Sequence, residues 1–194
     1  MKIIGIAGYA RSGKDTLGSF LVEDHGYEQR SFAAALKEVL YQTNPLAQVP
    51  YDARLAKSNP DRFVPVQYLV DCFGWDRAKE LSPGKFGVRG LLQRLGTEGG
   101  REVLGQNIWV DTVMSTLEPG GRYVFTDMRF PNEHGAIQNR CGLCVRVNRP
   151  GTEPVNPHIS ETALDNAFYD GYVLNDGTLE DLRSYAAVLA RSQA

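Results

Sequence analysis

Between Gly8 and Thr16 the chain reads Gly-Tyr-Ala-Arg-Ser-Gly-Lys-Asp-Thr, with four residues between the two glycines and Lys14 directly after the second. The flanks restrict what this stretch can become. Ahead of it, Lys2-Ile3-Ile4-Gly5-Ile6-Ala7 is a short apolar run rich in β-branched residues, the composition of a buried parallel strand. Behind it, Leu17, Phe20 and Leu21 recur at helical spacing. Strand, glycine loop and helix in that order predict a phosphate-binding loop. Gly8 and Gly13 admit backbone conformations closed to residues with a Cβ, so successive N–H groups can converge on anionic oxygens. The following helix adds its unbonded N-terminal N–H groups and the positive end of its dipole. Lys14 is expected to reach the β- and γ-phosphates of a nucleotide, and Thr16 to hydrogen-bond a phosphate. The residue after the lysine is Asp15 where Ser or Thr is usual. Its carboxylate is either a Mg2+ partner, direct or through water, or a first-turn helix acid without a ligand.

The chain of 194 residues can bury one full core, and no linker argues for a second domain. Hydrophobic residues make up 42% and charged residues 23%, as in an ordinary globular protein. A net charge of −2 argues against a large basic surface for nucleic acid. Arginine supplies most of the basic residues, which suits bidentate phosphate recognition and equally follows from a skewed genomic base composition. No apolar run is long enough to span a bilayer, so no membrane partner is expected. A strand starting within two residues of Met1 leaves no signal or transit segment. Cys72, Cys141 and Cys144 are too few and too odd for a disulfide framework, which points to a reducing, cytoplasmic setting. Cys141 and Cys144 form a Cys-x-x-Cys without a second pair. They are read as small residues entering a buried strand, in preference to a zinc or redox site.

Gly26 is a helix stop, and Tyr27–Phe32 reads as a second strand running into a helix over Ala33–Leu40. Lys37 stands at that strand-to-helix junction, where ligands collect on a parallel sheet; a phosphate contact is favoured over a solvated helix lysine. Residues 44–60, with Pro45, Pro50 and Pro60, look like loop. Phe63, Val66, Leu69, Val70 and Phe73 then predict a helix with Pro65 near its start and Gly74 near its end. Gly90–Arg101 reads as two short helical pieces meeting near Gly96, and Asn107–Leu117 as another helix. The stretch from about 44 to 110 is thus a helical insertion in an alternating strand–helix chain, whose core is 1–43 and 111–194. Tyr123–Asp127 is a strand ending in a carboxylate, a Walker B-like pattern that suits orientation of a metal's water shell. Arg129 follows at the same sheet edge and could bridge donor and acceptor phosphates. Phe130–Glu133 opens a short helix, Leu143–Asn148 is a fourth strand, and Arg149 leaves it at that edge. His158-Ile159-Ser160-Glu161 reads as a polar helix start capped by Ser160. Tyr172–Asn175 is a fifth strand, and Asp176-Gly177-Thr178 turns into a final amphipathic helix.

Taken together these stretches resemble the nucleoside monophosphate kinase type of P-loop protein, and more narrowly the bacteriophage deoxynucleoside monophosphate kinases. The resemblance is carried by residues 8–16, by Ser-Phe-Ala-Ala-Ala-Leu-Lys at 31–37 and by Leu-Leu-Gln-Arg-Leu-Gly-Thr-Glu-Gly-Gly-Arg at 91–101 with Trp109 behind it. Thr-Asp-Met-Arg-Phe-Pro-Asn-Glu at 126–133, His158 to Glu161 and Asn175 to Thr178 add to it. It implies an α/β P-loop NTPase three-layer fold with a five-stranded, mainly parallel sheet and a helical insertion that binds the monophosphate. The implied reaction moves the γ-phosphoryl group of ATP, with Mg2+, to a deoxynucleoside 5′-monophosphate. Gly8, Arg11, Ser12, Gly13, Lys14, Asp15 and Thr16 would hold ATP, with Arg149 and Gly177 near its adenine. Lys37, Arg101 and Arg129 would hold the acceptor phosphate, and Trp75, Gln93, Asn107 and Trp109 its sugar and base. Lys14, Asp127 and Arg129 would be catalytic, and the metal would lie at Asp15 or Asp127. A lid would follow Pro131; the segment is short, so no large lid arm is expected. The implied partners are these small substrates alone, in a host cytoplasm if the gene is viral, and related kinases occur both as monomers and as homodimers. Dephospho-coenzyme A kinase and the P-loop phosphomevalonate kinases share the loop and early helix but have no need of the 93–109 stretch. A nucleotide-binding switch is disfavoured by the absence of an Asn-Lys-x-Asp guanine motif.

Overall fold

Alternation along the strands builds the architecture. The computed structural model describes residues 1–50, 63–154 and 159–193. In chain order the first elements are β1 (Lys2–Ala7), α1 (Lys14–His25), β2 (Glu28–Arg30), α2 (Ala34–Thr43), β3 (Leu46–Gln48) and β4 (Phe63–Pro65). Then come α3 (Val66–Leu81), α4 (Val88–Arg94), a π-helix (Leu95–Arg101), α5 (Glu102–Leu104) and α6 (Ile108–Met114). The chain closes with β5 (Arg122–Phe125), α7 (Pro131–Gln138), β6 (Leu143–Asn148), α8 (Ile159–Thr162), β7 (Gly171–Leu174) and α9 (Leu179–Ser192). Contacts divide the chain into two units, residues 1–32 with 110–194, and residues 33–109.

In the first unit β2, β5, β1, β6 and β7 lie side by side in that order, and every pairing is parallel. Successive side chains of a strand point to opposite faces. Ile3 of β1, Tyr123 and Phe125 of β5 and Cys144 of β6 join one core with Val113 of α6 and Ile137 of α7. Ile4, Ile6, Val124, Val145 and Val147 join the opposite core with Leu17 and Leu21 of α1 and Leu182 and Ala186 of α9. The result is the three-layer α/β fold that the resemblance implies. Gly5 marks a close approach, because a Cβ there would lie 3.0 Å from the Met128 sulfur. Gly26 ends α1 in a left-handed cap whose N–H bonds the Leu21 carbonyl, as its position predicts.

The second unit has its own core, formed by Leu40, Ala47, Val49, Val66, Leu69, Ala78 and Val88. Here local patterning misled in three places. Residues 46–48 are not loop but pair antiparallel with 63–65, and Phe63 belongs to that strand rather than to the helix. Three-residue strands carry no readable period, and their pairing is non-local. The rest of the expected loop, 51–60 with Pro60, lies outside the described residues. Gly74, at φ 70° and ψ 164°, breaks the helix where its position predicts an end, and a second helical piece then runs on to Leu81. The junction near Gly96 is a seven-residue π-helix and not a break between two helical pieces.

Elsewhere the corrections are smaller. The helix expected to reach Leu117 stops at Met114. The segment after Pro131 forms α7, whose Ile137 is fully buried, so it belongs to the core. Ser160 lies inside α8, which starts at Ile159, and so does not precede it as a cap; His158 lies outside the described residues. Cys144 is buried and Cys141 exposed. Among the described residues no helix is long and apolar enough to cross a membrane.

Candidate active site

Gly8 (φ 152°), Arg11 (φ 65°) and Gly13 (φ 98°) place left-handed residues at intervals through the loop after β1. Backbone of this alternating hand turns successive N–H groups toward one concavity and makes an anion-binding nest. Gly8 has no room for a Cβ, which would come within 2.7 Å of the Val147 carbonyl oxygen and 2.6 Å of Ser12 Oγ. A Cβ on Gly13 would strike the side-chain amide of Asn175. That amide donates to the Ser12 carbonyl at 2.8 Å, and the Asn175 N–H donates to the Asn148 carbonyl at 2.8 Å. The end of β7 therefore braces the loop. Arg149 reaches the Arg11 carbonyl at 3.5 Å, so Arg11, Ser12, Gly13 and Arg149 come together at one edge of the sheet. Gly177 lies in the turn before α9, against the Asp181 carboxylate.

Ser12 Oγ is buried and has no hydrogen-bond partner. Leaving such a group unsatisfied costs about 1–3 kcal/mol, a cost that a phosphate oxygen entering the nest would remove. The loop thus fits a nucleotide phosphate. Lys14 opens α1 with its side chain 13% exposed and its Nζ 3.2 Å from the Asp15 carboxylate, which is 71% exposed. Thr16 is half-buried in the same first turn.

A pocket opens at the carboxyl ends of β1 and β5 and beside β6, lined by Gly8, Tyr9, Ala10, Lys14, Arg129 and Arg146 among others. That is the edge where open α/β sheets take their ligands. Glu133 in the first turn of α7 accepts from the backbone N–H groups of Arg129 at 2.6 Å and Phe130 at 3.0 Å, which fixes where the exposed Arg129 side chain starts. Asp127 stands two residues past β5. Its Oδ2 accepts from Ser31 Oγ at 2.6 Å and its Oδ1 from the Phe32 N–H at 3.2 Å, so the chain leaving β2 orients the carboxylate. Among the described residues no three His, Cys, Asp or Glu side chains cluster as a metal site. Mg2+ at phosphoryl-transfer sites takes only one or two carboxylates and completes its shell from phosphates and water. The hard oxygens of Asp127, Thr16 and Asp15 suit that chemistry.

Within residues 33–109, Lys37 and Trp75 meet, with the ammonium 5.9 Å from the indole centroid. Asp76 beside them is held below its ordinary value, first by its hydrogen bond from Lys79 and by that lysine's charge, and further by Lys37 and Arg89. A group of cations therefore surrounds this face of α3. Gln93 and Asn107 are exposed, and Arg101 is half-buried on the π-helix. Trp109 behaves differently from the expectation of a ring offered to a base. It is 7% exposed, its Nε1–H donates to the Gly96 carbonyl at 2.9 Å, and it is pressed against Gly100. Its indole is used to hold the π-helix.

Sequence reasoning placed Asn175 in a stretch that carries the resemblance but gave it no role, and it did not single out Arg146. An asparagine at a strand end before Asp-Gly could have drawn attention to the first. Alternation in β6 says only that Arg146 points away from Val145 and Val147.

A glycine nest leading from the first strand of a parallel sheet into a helix, with Lys14 and arginines at the carboxyl edge, defines a P-loop nucleotide-binding α/β protein. The model of the deoxynucleotide monophosphate kinase family matches residues 75–186, more than half of the chain, and the chain belongs to that family. It is a phosphotransferase acting on deoxynucleoside monophosphates. The deoxynucleotide monophosphate kinase of Enterobacteria phage T4 is 24% identical over 233 residues, covering 95% of this chain and 96% of its own. A protein of Acanthamoeba polyphaga mimivirus assigned the same activity is 28% identical over 200 residues, covering 95% of this chain and 93% of its own. A dephospho-CoA kinase from Campylobacter jejuni aligns over 100% of this chain and 98% of its own, at a TM-score of 0.48 and 12% identity.

Proposed function

We propose that the donor is ATP and that its γ-phosphoryl group passes in line to the 5′-phosphate of the deoxynucleoside monophosphate, giving ADP and the diphosphate. The observation that carries the donor assignment is the nest of Gly8, Arg11 and Gly13 around the buried, partnerless Ser12 hydroxyl. Phosphoryl transfer asks a protein mainly for positioning and for positive charge around the equatorial oxygens. The loop N–H groups and the Ser12 hydroxyl bind the donor phosphates, and Lys14 gives up Asp15 to pair with them. Arg129, at the lip of the pocket, neutralises charge on the group in transit. Arg149 and the turn at Gly177 take the adenine end.

Mg2+, when bound, would offset negative charge on the donor phosphates. Asp127 is the better partner for its water shell, because two hydrogen bonds fix its carboxylate, while Asp15 is solvent-exposed and paired with Lys14. Thr16 adds a hydroxyl in the first turn of α1. On the acceptor side we assign Lys37 and Arg101 to the 5′-phosphate and Trp75, Gln93 and Asn107 to sugar and base. Trp109 contributes by holding the π-helix that carries Arg101. The chain acts on small substrates in the cytoplasm of the cell that expresses it.

The test is ADP release with Mg-ATP and each deoxy- and ribonucleoside monophosphate in turn, for wild type and Lys14→Ala. Turnover that needs a deoxynucleoside monophosphate is expected. Lys14→Ala should lower kcat by about 100-fold or more, the loss typical of one preorganised electrostatic group, with the fold retained by circular dichroism. Wild-type turnover in that variant would remove the loop from the donor site.

A further inference from the structure

Arg146 lines the phosphate pocket beside Lys14 and Arg129, and the activity above gives it no role. Its side chain is 12% exposed, and each of its nitrogens is engaged. Nη2 donates to Asp165 Oδ1 at 2.7 Å, Nη1 to the Leu164 carbonyl at 3.3 Å and Nε to Asn148 Oδ1 at 3.3 Å. With Asp165 neutralising it, this guanidinium has little net charge left to offer a phosphate. What it offers instead is a flat face: its central carbon lies 5.0 Å from the Tyr9 ring centroid and 5.9 Å from that of Tyr169.

Tyr9 is the second residue of the loop, and its carbonyl accepts the Ser12 N–H at 3.2 Å. Ser12 is in turn gripped through its own carbonyl by Asn175. A contact that fixes the Tyr9 ring therefore fixes the peptide that closes the first half of the nest. A partly buried guanidinium whose three nitrogens are held separately by Asp165, the Leu164 carbonyl and Asn148 stays fixed over the ring, whereas an ammonium on a flexible stem cannot keep those three bonds and the ring contact together.

We propose that Arg146, oriented by Asp165, is a positioning residue that clamps Tyr9 and so holds the first half of the phosphate loop in its donor-binding shape. The ordering cost of the loop is then met on folding and not on binding. This rests on the reading of residues 8–16 as the donor loop.

The experiment measures Mg-ATP affinity by calorimetry on the full chain, and the acceptor KM, for Arg146→Lys, Tyr9→Phe, Tyr9→Leu and the double variant R146K/Y9L. Arg146→Lys keeps the charge but loses the planar group and the three bonds that orient it, and is expected to weaken Mg-ATP about tenfold. Its acceptor KM should stay within about twofold, a split that a general loss of structure would not produce. Tyr9→Phe, which keeps the ring, should bind within about threefold of wild type. Tyr9→Leu should lose as much as Arg146→Lys, and the double variant no more than either single, because both remove the same contact. Losses that multiply in the double variant overturn the proposal, since Arg146 would then act on the phosphates independently of Tyr9. Wild-type affinity in Arg146→Lys or in Tyr9→Leu overturns it as well. If Arg146→Lys does not fold, the contrast between Tyr9→Phe and Tyr9→Leu decides alone, and equal affinities there refute the clamp. Lys14→Ala separates the two readings: unchanged Mg-ATP binding in that variant would dismiss the donor loop itself, whereas its loss beside an intact Arg146→Lys would dismiss only the clamp.

Discussion

Replacing Gly100 by alanine distinguishes a Trp109 that packs from one that meets a nucleobase. A Cβ at position 100 would come 2.7 Å from both Cε2 and Nε1 of Trp109, closer than real Cβ atoms approach, so the indole must shift or the π-helix must open. Overpacking of this kind costs about 1–3 kcal/mol. Losing the Nε1–H bond to the Gly96 carbonyl adds about 0.5–1.5 kcal/mol. Against this, alanine in a helical backbone is better than glycine by about 0.5–1 kcal/mol. The net expectation is a destabilisation of about 1–3 kcal/mol, or roughly 3–10 °C in Tm for a chain of this size. Thermal melts followed by circular dichroism measure it, with Gly99→Ala as the control. A Cβ on Gly99 would meet nothing nearer than 3.5 Å, so that variant should melt at or slightly above the wild-type temperature. Adding Trp109→Phe to Gly100→Ala should recover part of the loss by making room. A Gly100→Ala protein that melts like wild type, with an acceptor KM raised about tenfold or more, would refute the packing argument and return Trp109 to the substrate.

Two further outcomes follow from single side chains. Thr178 caps α9, accepting from the Asp181 N–H at 3.2 Å, while its own N–H donates to the Asp181 carboxylate at 2.7 Å; Thr178→Ala should cost about 0.5–2 kcal/mol. Those bonds, the backbone N–H foremost, hold the Asp181 carboxyl below its ordinary 3.8. Their stabilisation is present above that value and is lost as pH falls through the lower folded one, so urea melts of wild type should lose it in acid, while Asp181→Asn, which cannot ionise, should show no such decline. Burial, with the Asp170 carboxylate second, pushes the Cys144 thiol from 9.0 up to about 12. Native alkylation near neutral pH should therefore label the exposed Cys72 and Cys141 and spare Cys144. Because the unfolded thiol ionises first, the stability this group contributes is complete below about pH 9 and declines from there toward pH 12. A Cys144→Ala melt should be flatter than wild type across the start of that range, and equal slopes would refute the assignment.

Particular residues show where reading ahead of the structure works. The Lys2–Ala7 run, the glycines at 8 and 13 and the cap at Gly26 are local: each needs only its neighbours in sequence to specify its backbone. The same holds for β6, whose alternation separates Cys144 from Val145 and Val147 before any partner strand is known. Where a residue's role depends on a distant partner, pattern reading fails. Phe63 fits a helical stripe and is claimed instead by pairing with Gln48. Trp109 looks like a stacking surface until Gly96 and Gly100 are seen to enclose it.

The sequence alone determined the order of strands and helices around the parallel sheet, the phosphate loop and hence the class of chemistry, because those are set by short-range sterics and by period. The tertiary structure decided which side chains are committed elsewhere. It gave Asp127 to Ser31 and Phe32, Asp15 to Lys14, Trp109 to the π-helix and Arg146 to Asp165 and Tyr9. Such commitments join residues up to 137 positions apart, as Arg146 and Tyr9 are, and no spacing along a chain encodes a distance that only folding creates.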